Sequence, residues 1–120
     1  MTAPSRPVPT EITQHQKSRV LEVSFSDGRR FELPYEFLRV HSPSAEVRGH
    51  GAGQEVLQTG KKDVEIVSLE PVGSYAVQPR FSDGHGTGIY TWDYLYELGS
   101  NREVLWRKYL ERLKTAGASR

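Results

Sequence analysis

Cysteine is absent from the 120 residues of the chain. The chain therefore cannot form a disulfide, a thiolate zinc site or a cysteine-ligated iron–sulfur cluster, and it has no cysteine nucleophile. A large excess of positive or negative charge is missing too, because the formal net charge at pH 7 is +1. Without a strong positive field there is no global attraction for nucleic acid or for an anionic membrane, so we expect neither partner.

Long apolar runs are also missing. No stretch approaches the roughly 20 apolar residues that a membrane-spanning helix requires. The first residues, MTAPSRPVPTEITQHQKS, lack the apolar centre of a secretory signal, and we therefore expect a cytoplasmic protein. The hydrophobic fraction of 36% and the charged fraction of 26% are typical of one globular domain.

The composition changes along the chain and suggests where the ordered domain lies. Residues 1–18 contain three prolines and few large apolar side chains, which predicts a flexible N-terminal tail. We expect the domain itself over residues 19–99, a C-terminal helix over 100–115, and a second flexible tail over 116–120.

One tetrapeptide, Phe-Ser-Asp-Gly, occurs twice, at 25–28 and 81–84, an offset of 56 residues. Each copy follows an alternating apolar pattern and precedes a short aromatic helix, LPYEFL at 33–38 and YTWDYL at 90–95, which are 57 residues apart. Asp-Gly favours a type I′ hairpin turn, because glycine adopts positive φ at little cost. We predict an α+β fold, with a small and mainly antiparallel sheet built from two strand–turn–strand–helix units.

The C-terminal segment carries apolar side chains at helical spacing. They are Leu105, Trp106, Tyr109, Leu110 and Leu113. This stripe predicts an amphipathic helix that packs against the sheet and leaves its basic side in solvent. Ser100 and Glu103 have the spacing of a capping box at its start. A homodimer formed through this helix is the alternative.

Two further boundaries follow from local signals. Thr91 is expected to cap the second aromatic helix, and Gly99 is expected to end it. Residues 41–62 form a long segment without a clear pattern, in which Val56 and Leu57 are predicted to pair as a short strand. Loops of this length in small domains are usually functional or disordered.

Catalytic motifs are not visible. The sequence has no H-E-x-x-H or G-x-S-x-G arrangement and no recognisable nucleophile–base pair, so we predict a protein that is not an enzyme. A metal site is the alternative. His41, His50, His85 and Asp83 could supply non-thiolate ligands, which suit zinc or iron(II).

Three segments together carry a family resemblance. They are LEVSFSDGRRFELPYEFLR, RVHSPSAEV and FSDGHGTGIYTWDYLYEL. Over about residues 20–99 the chain resembles the gamma-butyrobetaine hydroxylase-like N-terminal domain. In eukaryotic hydroxylases this domain precedes an iron- and 2-oxoglutarate-dependent catalytic domain, and it binds a structural zinc through three cysteines and one histidine. The resemblance implies that Ser42, Ser44 and Val47 occupy the cysteine positions and that His85 matches the histidine.

The departures from the family pattern shape the functional prediction. Serine and valine cannot replace thiolates as zinc ligands, so no cofactor is expected. We expect no catalytic domain, since 120 residues leave no room for it beside this one. Relatives occur as free-standing bacterial proteins and fused to plastid P-loop iron–sulfur carrier ATPases. The resemblance therefore implies a non-catalytic accessory or interaction module, linked to iron or iron–sulfur metabolism, with a protein partner.

The predicted contact surface combines the DGHGTG turn, the loop at 41–50 and the nearby aromatic residues. Its proposed binding residues are Arg39, Asp83, His85, Tyr90 and Trp92. Exposed tyrosine and tryptophan side chains favour interfaces, because they combine a large apolar body with a polar atom.

Overall fold

The computed structural model describes residues 6–49 and 55–120. In chain order, its elements are β1 (Pro9–His15), β2 (Val20–Phe25), β3 (Arg30–Pro34), α1 (Tyr35–Val40), α2 (Ala45–Arg48), β4 (Ile66–Val72), β5 (Ala76–Phe81), β6 (Tyr90–Thr91), α3 (Trp92–Ser100) and α4 (Arg102–Ala116). The predicted α+β class is confirmed, and every strand pair is antiparallel in the described part. The strands form two sheets, ordered β1-β2-β3 and β4-β5-β6.

The internal repeat is visible in the strand register. Leu21 pairs with Leu33 between β2 and β3, and Val77 pairs with Tyr90 between β5 and β6. Val77 follows Leu21 by 56 positions and Tyr90 follows Leu33 by 57, the two offsets seen in the sequence. Each half of the domain is therefore three antiparallel strands followed by a helix, and the extra residue of the second half lies between β5 and β6.

The two hairpin turns differ from the predicted type I′ geometry. Gly28 has φ +89° and Gly84 has φ +92°, whereas Arg19 is the one described non-glycine residue with positive φ. A type I′ turn needs positive φ at both central residues, so that prediction is wrong. The N–H of Gly28 donates to the carbonyl of Phe25, and the N–H of Gly84 donates to that of Phe81, both at 3.0 Å. This pattern is typical of a three-residue loop whose last residue is a left-handed glycine.

The expectation of a flexible tail over residues 1–18 is wrong for the part from Pro9 to His15. Pro9–His15 forms the edge strand β1, paired with β2 from Pro9↔Phe25 to His15↔Val20. Proline is tolerated at the first residue of an edge strand, because its missing N–H faces away from the ladder. Ile12 packs against the core while most of its neighbours remain accessible, and this explains the polar composition of the strand.

The C-terminal segment is also more ordered than predicted. α4 ends at Ala116, and Gly117 follows in the left-handed conformation, with φ +66°. The guanidinium of Arg120 then makes a bidentate ion pair with Glu36, the shortest contact being 2.7 Å, and lies 5.3 Å from the ring centroid of Trp106. Residues 116–120 therefore pack against the domain.

Two predicted boundaries between the last helices are wrong. α3 continues through Gly99 to Ser100, so Gly99 does not end the helix and Ser100 does not cap the next one. Asn101 stands at the N-cap of α4 without a side-chain cap. A Cβ added at Gly99 would lie 2.4 Å from the Phe31 ring, so glycine is required there for close packing. The predicted cap at Thr91 is confirmed, since its side chain accepts a hydrogen bond from the N–H of Tyr94.

Both halves share one core, to which the buried faces of β2, β3, β5, α1 and α3 contribute. Its largest fully buried side chains include Tyr35, Tyr90, Phe37 and Phe81. A smaller cluster joins Val40 of α1 to Tyr109 and Leu113 of α4, so most of the apolar stripe of α4 packs against its own domain, whereas Leu110 is exposed. Homodimer formation through this helix stays a prediction.

The long segment after α1 folds back on itself in part. The N–H of Val56 donates to the carbonyl of Val47 at 2.7 Å, but Val56 and Leu57 lie outside any strand, so the predicted short strand is wrong. The next strand, β4, begins at Ile66 and runs to Val72.

Candidate functional site

The second hairpin turn lies against the chain that leaves α1. Ser44 begins the short helix α2, because its Oγ accepts a hydrogen bond from the N–H of Glu46 at 3.2 Å. The same hydroxyl lies 2.7 Å from Oγ1 of Thr87 in the turn. Ser42, Ser44 and Glu46 thus meet Asp83, His85 and Thr87 in one polar cluster, which we call the His85 network.

His85 is the centre of this network. It is 7% exposed, and its Nε2 lies 2.8 Å from Oγ of Ser42 while its Nδ1 lies 3.1 Å from Oε2 of Glu46. Burial and then the charge of Arg39 lower the pKa of His85, and together they outweigh the opposing effect of Glu46 and Asp83. A neutral imidazole has one donor and one acceptor nitrogen, which matches a ring with one partner at each nitrogen.

Asp83 holds the cationic side of the network. Its Oδ2 accepts hydrogen bonds from Nε of Arg39 at 2.8 Å and from Nζ of Lys61 at 2.6 Å, and its Oδ1 accepts one from the N–H of His85 at 3.2 Å. Burial raises the pKa of Asp83, but these hydrogen bonds outweigh it and lower the value to about 2. Asp83 therefore neutralises the buried Arg39, whose Nη1 has no hydrogen-bond partner among the described residues.

Ser42, His85 and Glu46 are arranged in the order of a nucleophile, a base and an orienting acid. Sequence reasoning found no such pair, because Ser42 and His85 lie 43 positions apart with no motif around them. Ser42 is 1% exposed, and a Cβ added at Gly88 would lie 2.4 Å from its Oγ. The backbone of the turn thus covers the hydroxyl, and a substrate has no access to it in this conformation.

The aromatic residues predicted to bind a partner have different environments. Tyr90 is 0% exposed, and its hydroxyl donates to the carbonyl of Leu38 at 2.5 Å, so it is a core residue and cannot contact a partner. Burial also raises the pKa of its hydroxyl. Trp92 is half-buried and its indole N–H donates to the carbonyl of Ser74 at 2.7 Å. Arg39 and His85 are buried as well, which leaves Trp92 as the partly accessible aromatic residue of the predicted set.

Trp92 belongs to a surface that the sequence did not indicate. Tyr75 is 55% exposed and Val8 is 46% exposed, and both line a shallow depression with Trp92. Arg6 and Asp93 form an exposed ion pair at the rim of this depression. We call Val8, Tyr75 and Trp92 the aromatic patch. Because Val8 lies in the segment expected to be a tail, sequence reasoning could not place it beside Trp92.

Comparison with known protein families gives one match, the gamma-butyrobetaine hydroxylase-like N-terminal family, over residues 12–96. The chain belongs to this family. The predicted resemblance is therefore confirmed, and the match starts within β1, earlier than the position near residue 20 expected from the sequence. The comparison with curated proteins found no match. Among the described residues, no helix is both long and apolar enough to cross a membrane.

Solved structures of similar proteins extend this result. One NMR solution structure is 48% identical over 97% of this chain and 91% of its own, with a TM-score of 0.84. Another is 53% identical over 100% of this chain and 90% of its own, with a TM-score of 0.83. A crystal structure of a DUF971 family protein of unknown function from Acidithiobacillus ferrooxidans ATCC 23270 is 46% identical over 76% of this chain and 91% of its own, with a TM-score of 0.65.

The positions that the family resemblance assigns to zinc ligands lie within or beside the His85 network. Ser42 contacts His85, Ser44 contacts the same turn, and Val47 is buried next to them at 6% exposure. These residues do not fit zinc, because hydroxyl and isopropyl groups replace the thiolates and the Nε2 of His85 is already hydrogen-bonded. Hydrogen bonds from Ser42 and Ser44 join their segment to the turn that carries His85. The family resemblance implies a metal in this role.

The described members of the non-thiolate ligand set contact other partners. Nδ1 of His41 lies 2.9 Å from the carbonyl of Phe37, while Asp83 contacts Lys61 and Arg39. His50 lies outside the described residues. Within residues 6–49 and 55–120, no group of three or more His, Asp or Glu side chains is placed to hold a metal ion.

Proposed function

We propose that this protein is a non-catalytic accessory module that binds a protein partner through the aromatic patch. The observation that supports this most directly is the exposure of Tyr75 and Val8, at 55% and 46%, beside the half-buried Trp92. The only polar side-chain atom of Trp92 is already hydrogen-bonded, so a partner meets an apolar ring face. Tryptophan and tyrosine side chains in such positions frequently dominate binding energies.

The charges around the patch indicate the chemistry of the partner. Arg6 and Asp93 neutralise each other at its rim, and among residues 6–49 and 55–120 no other charged side chain lines the depression. We therefore propose that the partner presents an uncharged apolar segment and that salt changes the affinity little. The family resemblance suggests that this partner is an iron or iron–sulfur protein.

The inaccessible Ser42 supports a non-catalytic role. A serine nucleophile needs room for a tetrahedral carbon at its hydroxyl, and the backbone at Gly88 occupies that space. A fluorophosphonate probe, which labels activated serine hydroxyls, is expected to leave the protein unlabelled. Labelling that Ser42→Ala abolishes would instead show an active nucleophile and overturn the non-catalytic proposal.

The binding proposal is tested by comparative affinity capture. The wild-type protein is compared with Val8→Ser and Tyr75→Ser, which alter the patch, and with Val67→Ser, a matched control at a residue that is 64% exposed on β4. We expect one partner that the wild type and the control retain and that both patch variants lose. The captured protein is then purified and its affinity is measured by calorimetry at low and high salt.

Two results would contradict this proposal. If the purified partner bound the Tyr75→Ser variant as tightly as the wild type, the aromatic patch would not be the interface. If the affinity fell steeply with salt, the partner would be charged and the proposed chemistry would be wrong.

A further inference from the structure

A cavity separate from the aromatic patch lies where α2, α3, α4 and the end of α1 meet the loop at 55–58. Its volume is about 470 Å³, and it shares no lining residue with the depression around Trp92. Cavities of a few hundred Å³ are in the usual size range for small-molecule sites. This space is therefore a candidate ligand site that the proposed protein interface does not use.

The inner wall of the cavity is apolar. The side chains that provide it are Val47, Leu57, Leu98 and Leu105, which come from α2, the 55–58 loop, α3 and α4. A ligand with an apolar body would displace water from all four segments at once. The gain from burying such a body is about 25 cal/mol per Å² of apolar surface.

Two arginines line the same cavity. Arg48 of α2 lies with its guanidinium 4.9 Å from the ring centroid of Tyr94, and Arg112 comes from α4. Neither arginine belongs to any ion pair found among the described residues. Their charges are consequently available to an anionic group that enters the cavity.

The charges of Arg48 and Arg112 act on the ring of His41, which lines the same cavity. Burial lowers the pKa of this ring, the hydrogen bond with the carbonyl of Phe37 raises it, and the charges of Arg112 and Arg48 lower it further. Glu55 and Glu97 also line the cavity, so two acidic side chains balance the two arginines overall. An anion with one charge suits this balance better than a phosphate with two charges.

We propose that this cavity binds a small organic carboxylate, with the carboxylate at Arg48 and Arg112 and an apolar body against the inner wall. Arginine binds carboxylates through paired hydrogen bonds of fixed geometry, which gives orientation as well as affinity. The site extends the proposed function, since an accessory module with such a cavity would also respond to a metabolite. It does not depend on the aromatic patch.

The test is an NMR titration of the full chain with three probes. These are 4-phenylbutyrate, its neutral analogue 4-phenylbutyramide, and inorganic phosphate. We expect 4-phenylbutyrate to shift the amide signals of His41, Leu57 and Leu98, and we expect the amide to bind about tenfold more weakly, which corresponds to about 1.4 kcal/mol. Equal binding of acid and amide, stronger binding of phosphate, or no shifts at these residues would each overturn the proposal.

Charge variants sharpen the assignment. Arg112→Gln should weaken binding of 4-phenylbutyrate about tenfold and leave 4-phenylbutyramide unchanged. The matched control is Arg107→Gln, an exposed arginine of the same helix that does not line the cavity. Glu97→Gln should strengthen the binding of 4-phenylbutyrate. If Arg107→Gln weakened binding as much as Arg112→Gln, the effect would be long-range and the proposed site would be wrong.

The two proposals can fail independently. Tyr75→Ser should leave 4-phenylbutyrate binding unchanged, because Tyr75 does not line the cavity. Loss of carboxylate binding in this variant would contradict the separation of the two sites.

Discussion

The two Phe-Ser-Asp-Gly turns have the same backbone and different surroundings. In the first, Asp27 accepts a hydrogen bond from the Tyr96 hydroxyl at 2.6 Å, and Arg29 stacks over Tyr96 at the surface. In the second, Asp83 pairs with cations and His85 is buried in a hydrogen-bonded network. The repeat thus reproduces a turn, and the residue after the glycine is exposed in the first copy, as Arg29, and buried in the second, as His85.

What covers each turn explains this difference. The Arg29 turn meets one side chain of α3, and Arg29 remains exposed. The His85 turn is covered by residues 42–48, a segment that follows α1 and has no equivalent after α3, where α4 begins almost at once. The two hairpins therefore differ because residues 42–48, which lie between the two halves, cover only the second one.

The largest expected effect comes from restoring thiolates at the covered turn. The substitutions Ser42→Cys, Ser44→Cys and Val47→Cys would complete, with His85, the ligand set that the family resemblance implies. We expect the triple variant to bind stoichiometric zinc, measured by metal analysis of protein purified without a histidine tag, whereas the wild type binds none. Structural zinc contributes directly to folding, so thermal stability should depend on zinc.

The matching control adds His85→Ala to the triple variant. Zinc affinity should fall by about 10-fold or more, because a tetrahedral structural site would lose one of four ligands. Equal zinc affinity with and without His85 would contradict the placement of the four positions around one centre.

The next effect compares the residues that follow each glycine. His85→Ala removes a buried ring and its hydrogen bonds to Ser42 and Glu46, so we expect a loss of about 2–4 kcal/mol in the free energy of unfolding. Arg29→Ala removes exposed cation–π contacts to Phe31 and Tyr96, and should cost about 1 kcal/mol or less. Chemical denaturation of both variants measures the difference, and equal losses would mean that the His85 network contributes no special stability.

Much of the fold could be predicted from local pattern. Alternation, the repeated turn and the aromatic helices gave the α+β class and the two halves, because each signal depends on neighbours in the chain. β1 was missed, since an edge strand with one accessible face has weak alternation and prolines nearby. Tyr90 was assigned to the surface because the hydrogen-bond partner of its buried hydroxyl, the carbonyl of Leu38, lies 52 positions away in the chain.

The candidate site was predicted only in part, for the same reason. His85 and Asp83 were singled out from the turn, but their partners Glu46 and Lys61 come from the patternless segment at 41–62. The aromatic patch brings together Val8, which precedes β1, and Tyr75, which lies between β4 and β5, and no local pattern encodes this arrangement. Sequence reasoning identified the turn that carries the site and not the residues that cover it.

A smaller effect separates the two aspartates of the turns. The pKa of Asp83 is about 2 in the folded protein, below its ordinary value, so its stabilising contribution is present above about pH 4 and is lost as the pH falls towards 2. Asp83→Asn should therefore cost about 1 kcal/mol at pH 7, after allowance for solvent screening, and progressively less as the pH falls to 2 and below. Stability measured against pH for the wild type and the variant tests this difference.

Asp27 is the internal control for that measurement. The Tyr96 hydroxyl, followed by the N–H of Arg29, lowers the pKa of Asp27, but the carboxylate is exposed and belongs to no ion pair found within the described part of the chain. We expect Asp27→Asn to change stability less than Asp83→Asn at pH 7. A larger loss for Asp27→Asn would show that the surface turn, rather than the covered one, carries the electrostatic stabilisation.

The smallest effect tests whether the two turns share one backbone. Gly28 and Gly84 have φ of +89° and +92°, and a Cβ added at either meets nothing within 4 Å. Gly28→Ala and Gly84→Ala should therefore cost the same, about 1 kcal/mol each, because the left-handed conformation alone opposes the new side chain. Denaturation midpoints give both values. A clearly larger loss of stability for Gly84→Ala would contradict this expectation. It would mean that the added side chain also disturbs the His85 network, and that the two turns differ in rigidity although they share one shape.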